Sequence, residues 1–221
     1  MLGKQNYFYV SFFVYTFAIE KNTIMSRKGT LTTADYFQYD EFKRLLDCLV
    51  KDNQQIWAFY CMLSFCLGLR AVDVRKLKWG DVLNQRSVVV TEQKTGKTKG
   101  IPIGQNTAEH ISKMYEKAGQ PHLDAYIFCT PRAKENSPVS IQYINRLTKK
   151  WKQKYNLNIG NFSTHTFRKT FGRYVYEKRN RSTDALIELN RIFRHQNLQT
   201  TLIYIGITDD NIYDLFANMR L

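Results

Sequence analysis

The stretch Ile56 to Leu67 (IWAFYCMLSFCL) is apolar on nearly every face and runs straight into Gly68. A helix of that composition has no side to turn toward water, so it must pass through the interior with other elements around it. The glycine supplies the left-handed residue on which helices commonly end.

The surrounding text supplies partners for such a helix. Phe42, Leu45, Leu46 and Leu49 recur at i, i+3, i+4 and i+7 within 39–50, the period of an amphipathic helix, with Asp40 as its expected N-cap. Val72 to Leu77 reads as one more short helical turn. The period then changes: the Val-rich run at 87–91, the turn TGKTKG and the run at 100–103 predict a β-hairpin, with Val82 and Leu83 as a candidate third strand. Helical text returns at 105–118, 139–155, 165–179, 183–193, 198–204 and 209–219. Asn106, Ser163, Ser182, Asn197 and Asp209 stand where helix starts need polar caps. The expected fold is mainly α with one small antiparallel sheet, an α+β class.

With 221 residues the chain can bury one good core plus a short appendage. Thirty-three Lys and Arg against nineteen Asp and Glu leave a formal charge of +14, which favours a polyanionic partner, nucleic acid first. The basic residues are spread along the chain, so no basic amphipathic helix points to a membrane surface. Cys48, Cys61, Cys66 and Cys129 have no zinc-site spacing and read as reduced thiols of a cytoplasmic protein. The apolar run at 7–19 has thirteen residues, short of the ~20 a bilayer span needs. Residues 1–30 read as an N-terminal appendage, of which 1–24, ahead of Met25, are consistent with an upstream start codon.

Breaking a phosphodiester without a metal requires a nucleophile, cations for the charge on the non-bridging oxygens, and an acid for the departing oxygen. The chain has candidates for each. Arg70 follows the glycine that ends the central helix, and Asp73 can pair with it; by itself GLRAVD reads more simply as a structural ion pair. Lys94 lies in the hairpin turn, where Lys97 and Lys99 compete with it and a solvated lysine is the plainer reading. His165 and Arg168, at i and i+3 in HTFR, share one face at the amino end of a helix, a place suited to an anion; followed by Lys169 and Arg173, they also fit an ordinary basic surface. His195 and Tyr204, nine residues apart, would lie ~13 Å apart in one unbroken helix. They converge only if His-Gln-Asn at 195–197 turns the chain and Asn197 opens a new helix. With fourteen tyrosines present, Tyr204 could equally be a core aromatic.

The order and intervals of Arg70, Lys94, the H-x-x-R of His165 and Arg168, His195 and Tyr204 resemble the active site of the tyrosine recombinase (phage integrase) family. The resemblance runs from about Leu31 to the C-terminus. It implies that Tyr204 attacks a phosphodiester and becomes joined to the 3′ phosphate, releasing a 5′ hydroxyl. Arg70, Arg168 and His195 brace the phosphoryl oxygens, Lys94 acts as general acid and His165 assists proton transfer. Neither cofactor nor metal is implied. The partners implied are double-stranded DNA, further protomers in a homotetramer on DNA formed from free monomers, and an accessory DNA-bending protein; no membrane is involved. The catalytic domain would span 31–208, and the segment 209–221, with its stripe of Ile212, Leu215, Phe216 and Met219, would dock on a neighbouring protomer.

Two departures accompany the resemblance. Where the family usually has Leu-Gly-His, this chain has Phe193-Arg194-His195, so an arginine occupies a position that often needs glycine's left-handed backbone. Residues 1–30 also cannot form the helical DNA-clamping domain that usually precedes the catalytic one, so the chain resembles single-domain members. A type IB topoisomerase and a catalytically inactive DNA-binding regulator are the competing readings.

Overall fold

The computed structural model describes residues 34–91, 98–129 and 137–207. The expectations for residues 1–30, for Lys94 and for the segment 209–221 lie outside the described residues.

The central helix is α2 (Gln55–Leu67), buried at Ala58 through Phe65 and at Leu67, and closed by Gly68 at φ 55°. Its apolar circumference is covered on several sides. Helix α1 (Tyr39–Lys51) presents Phe42, Leu45 and Leu49. The turns α3 (Ala71–Val74) and α4 (Trp79–Val82) follow, and then strands β1 (Ser87–Thr91) and β2 (Thr98–Pro102) pair antiparallel, with Val89 opposite Gly100. Helix α5 (Gln105–Lys117) buries Ile111, and α6 (Ile141–Lys154) buries Ile144 and Trp151. The last three helices are α7 (Thr166–Lys178), α8 (Thr183–Phe193) and α9 (Leu198–Tyr204).

Aromatic rings fill the main core: Phe37 meets Phe162 edge-on at 4.9 Å, Tyr60 meets Phe128 at 5.1 Å, and Phe162 meets Phe167 at 5.6 Å. A second, smaller core of Leu186, Leu189, Phe193 and Ile205 lies under α8 and α9. Helix α7 belongs to both: Phe167 is buried in the first, while Phe171 packs against each. A residue between those two positions on α7 is therefore held from both sides, and Arg168 is one.

Close approach of α7 to the α8–α9 pair depends on Gly172. A Cβ there would stand 2.7 Å from Cγ2 of Ile205 and 2.8 Å from Cζ of Phe193, inside any real contact distance.

Several boundaries differ from the sequence expectation. Val82 ends the helical turn α4 instead of opening a third strand, and among the described residues the sheet has two strands. Asp81 stabilises that turn by accepting the Lys78 N–H at 2.8 Å, which lets Trp79 and Val82 both be buried. Asp40 lies in the first turn of α1 and not at its cap, which is Gln38; the chain is already anchored at Phe37, whose N–H donates to Thr170 Oγ1 at 2.9 Å. Gly104, not Asn106, caps α5. Ser163 forms a preliminary turn, its carbonyl accepting from Thr166 N–H, and α7 begins three residues later with His165 as N-cap. Ser182 and Asn197 do cap α8 and α9, accepting from Ala185 and Thr200 N–H groups.

Candidate active site

Arg168 is 6% exposed, and its guanidinium donates to the carbonyls of Gly68 at 2.6 Å and Phe193 at 3.2 Å. It lies over the Phe193 ring at 4.4 Å. The end of the central helix and the end of α8 are thus joined through one cation. Burial holds its pKa down at about 10, with the charge of Arg70 acting in the same direction and Tyr204 and Asp73 opposing.

Tyr204, the last residue of α9, lies within the electrostatic reach of the Arg168 guanidinium. Burial raises the phenol pKa, while Arg168 and Arg70 pull it down. Its ring meets Phe193 at 5.1 Å and His195 at 5.0 Å. The turn expected between positions 195 and 204 is present: α8 ends with Arg194 in the left-handed conformation, and Asn197 opens α9. The His195 and Tyr204 rings, which one straight helix would separate, are neighbours.

His195 Nδ1 lies 3.0 Å from Thr201 Oγ1, and Thr201 is fully buried. Asn190 Nδ2 donates to the same hydroxyl oxygen at 3.0 Å and to the Asn197 carbonyl at 2.8 Å. Where that hydroxyl donates its proton to His195 Nδ1, the ring's own proton stands on Nε2. Burial lowers the His195 pKa, and Arg168 and Arg70 lower it further, which favours this neutral ring at pH 7.

Arg70 is the N-cap residue of α3 and is exposed, yet it lines a small cavity together with Asp73, Arg168 and Arg194. His165, at the head of α7, is exposed as a residue, but partial burial of its ring, with Arg168, Lys169 and Arg70 close by, lowers its pKa. Arg70, His165, Arg168, His195 and Tyr204 therefore act electrostatically on a common region.

The basic-surface reading of HTFRK does not hold, because Arg168 and Lys169 are 6% and 8% exposed. Lys169 is one of the residues the sequence did not single out. Its Nζ lies over the Tyr204 ring at 5.4 Å, and burial lowers its pKa against the pull of Asp35. Phe193 and Thr201 are the others. The 3.6-residue period of α8 marks Phe193 as apolar core, and nothing in a single sequence marks Thr201 as a partner of His195.

A buried arginine acting on a tyrosine hydroxyl, a histidine ring against that tyrosine and a second arginine at the arginine's cavity are groups chemically suited to phosphoryl transfer, set on a helical scaffold. The phage integrase family matches residues 35–210, and the chain belongs to that family, the tyrosine recombinases. The probable integrase/recombinase YoeC of Bacillus subtilis is 32% identical over 183 residues, 81% of this chain and 94% of YoeC. The tyrosine recombinase XerA of Pyrococcus horikoshii is 28% identical over 183 residues, 82% of this chain but 60% of XerA. The fold is similar to that of the Tn1549 transposon integrase in complex with transposon right end DNA, with a TM-score of 0.64 and 13% identity over 87% of this chain and 67% of that one.

Proposed function

We propose that this tyrosine recombinase cleaves and rejoins double-stranded DNA with Tyr204 as nucleophile. The observation that carries the reading is the proximity of Tyr204 to both Arg168 and His195 at a site that Arg70 also faces. The phenol oxygen attacks phosphorus and forms the 3′-phosphotyrosyl bond while the bond to the 5′ oxygen breaks. Arg168 and Arg70 neutralise the non-bridging oxygens, and His195 donates to one of them from Nε2. His165 takes the phenol proton, and Lys94, on the segment between β1 and β2, protonates the leaving 5′ oxygen. The bond energy is kept in the phosphotyrosine, so the 5′ hydroxyl of a partner strand can reverse the step.

Burial of Tyr204 favours its protonated form, and the nearby arginines favour the phenolate. A DNA phosphate drawing those arginines to itself leaves the phenol needing a base, which is the part assigned to His165. Protomers assemble as a homotetramer on DNA, the segment 209–221 docking between neighbours, and the setting is the cytoplasm. Among the described residues no helix is long and apolar enough to cross a membrane.

The test is a nicked suicide duplex carrying paired half-sites, incubated with the protein and with Tyr204→Phe in the presence of chelator. The reading expects a covalent adduct on a denaturing gel for the first and none for the second. Binding without an adduct would favour the inactive regulator. Adduct formation that yields only relaxed topoisomers, and no recombinants from paired sites, would favour the topoisomerase.

A further inference from the structure

Arg194 holds the left-handed conformation, φ 53° and ψ 47°, that ends α8 and lets the His195 N–H reach back to the Asn190 carbonyl at 3.2 Å. For the backbone alone an arginine is a poor choice there, since glycine takes this region freely and asparagine takes it more readily than most. The side chain has its own task. It lines the cavity with Val90 and Ile101 of the two strands, and its Nη2 donates to the Thr98 carbonyl of β2 at 3.2 Å. Thr98 is the first residue of β2, and residues 92–97, which include Lys94, connect it to β1. On the other side of Arg194 stand Phe193, whose carbonyl accepts from Arg168, and His195, which touches Tyr204.

We propose that Arg194 is a positioning residue, a latch that fixes the hairpin carrying Lys94 against the turn carrying His195. The inference rests on the reading of Tyr204 and His195 as site residues. In the latched state the start of β2 and the groups around the attacking oxygen share one frame. Without it the hairpin and the α8–α9 turn move separately, so DNA still binds while the cleavage step slows.

The test compares Arg194→Gly, Arg194→Asn and Arg194→Lys with the unaltered chain on the same suicide duplex, in single turnover. Melting temperature and DNA affinity over a range of salt are measured alongside. Glycine and asparagine suit the backbone and lack the reach, so both variants should fold, with the glycine form melting at or above the unaltered protein. Their cleavage rates should fall roughly tenfold or more, the effect of losing one charge-assisted hydrogen bond, with affinity changed little. Lysine keeps the charge and one donor and should recover part of the rate. Cleavage by the glycine and asparagine forms at the unaltered rate would overturn the latch. So would a loss confined to affinity with a shallower salt dependence, which would make Arg194 a phosphate contact instead. If the unaltered chain formed no adduct at all, the functional reading, and not the latch alone, would have failed.

Discussion

Replacing Arg168 with methionine separates what this residue does for folding from what it does for chemistry. At 6% exposure the guanidinium pKa is displaced from 12.5 to about 10, a net of roughly 3 kcal/mol against the charged form, with burial the largest cause and Arg70 adding to it. Against this stand two donated hydrogen bonds, to Gly68 at 2.6 Å and to Phe193 at 3.2 Å, the second a long one. Bonds from charged groups contribute about 1.5–3 kcal/mol each, the weaker geometry lying at the lower end. Methionine keeps an unbranched stem and a favourable sulfur contact with the Phe193 ring, so little packing is lost. Relief of the buried charge offsets part of the hydrogen-bond loss, but the Gly68 and Phe193 carbonyls are left without their donor, so Arg168→Met should lose about 1–3 kcal/mol of stability in urea. Adduct formation should fall by about 10²–10³, the usual consequence of removing one charge-stabilising donor from a transition state. A loss of stability above about 4 kcal/mol would refute the reasoning by making Arg168 a structural mainstay. An unchanged cleavage rate would remove Arg168 from the site.

Gly172→Ala should destabilise the fold by about 1–3 kcal/mol and slow cleavage, since the new methyl would meet Ile205 and Phe193; a denaturant midpoint at or above the unaltered value would contradict the close approach. Thr201→Val removes the hydroxyl shared by His195 and Asn190 and should cost about 1 kcal/mol together with a several-fold loss in cleavage rate; an unchanged rate would dismiss its hold on His195. In the folded chain His165 and His195 have lowered pKa values. As pH falls through about 6.5 the unfolded chain therefore binds protons that the folded chain refuses, and stability is lost until the lower folded values are reached. Urea midpoints should be lower at about pH 5.5 than at about pH 7.5, and His195→Gln should narrow the gap; an equal or wider gap in that variant would contradict the lowered His195 pKa.

The elements with strong periodicity were legible in the sequence. An all-apolar helix ending in glycine, the α8 stripe and the Asn197 cap each have a local physical cause, and the convergence of His195 with Tyr204 followed from the need for a turn between them. The four-residue turn α4 was not legible, because a single turn carries no period and Val82 suits strand and helix alike. The start of α1 depended on tertiary anchoring rather than on cap chemistry, and α5 starts from Gly104 without a side-chain cap. Within the site, the burial of Arg168 and Lys169 was hidden: charged residues are almost never fully buried unless paired. Only the packing of α7 between two cores puts them inside. Arg194 was legible as a departure, but the carbonyl it reaches lies 96 residues away in the chain, and no spacing rule connects the two.

The central claim is that one particular tyrosine, among fourteen, carries the chemistry. Trapping the adduct on a suicide duplex, digesting it with nuclease and protease, and sequencing the modified peptide by mass spectrometry tests that claim most directly. The account predicts a nucleotide attached through phosphate to Tyr204, within the peptide that runs from Asn197 through Ile205. Attachment to any other residue, or DNA bound by the folded protein with no modified peptide at all, would contradict it.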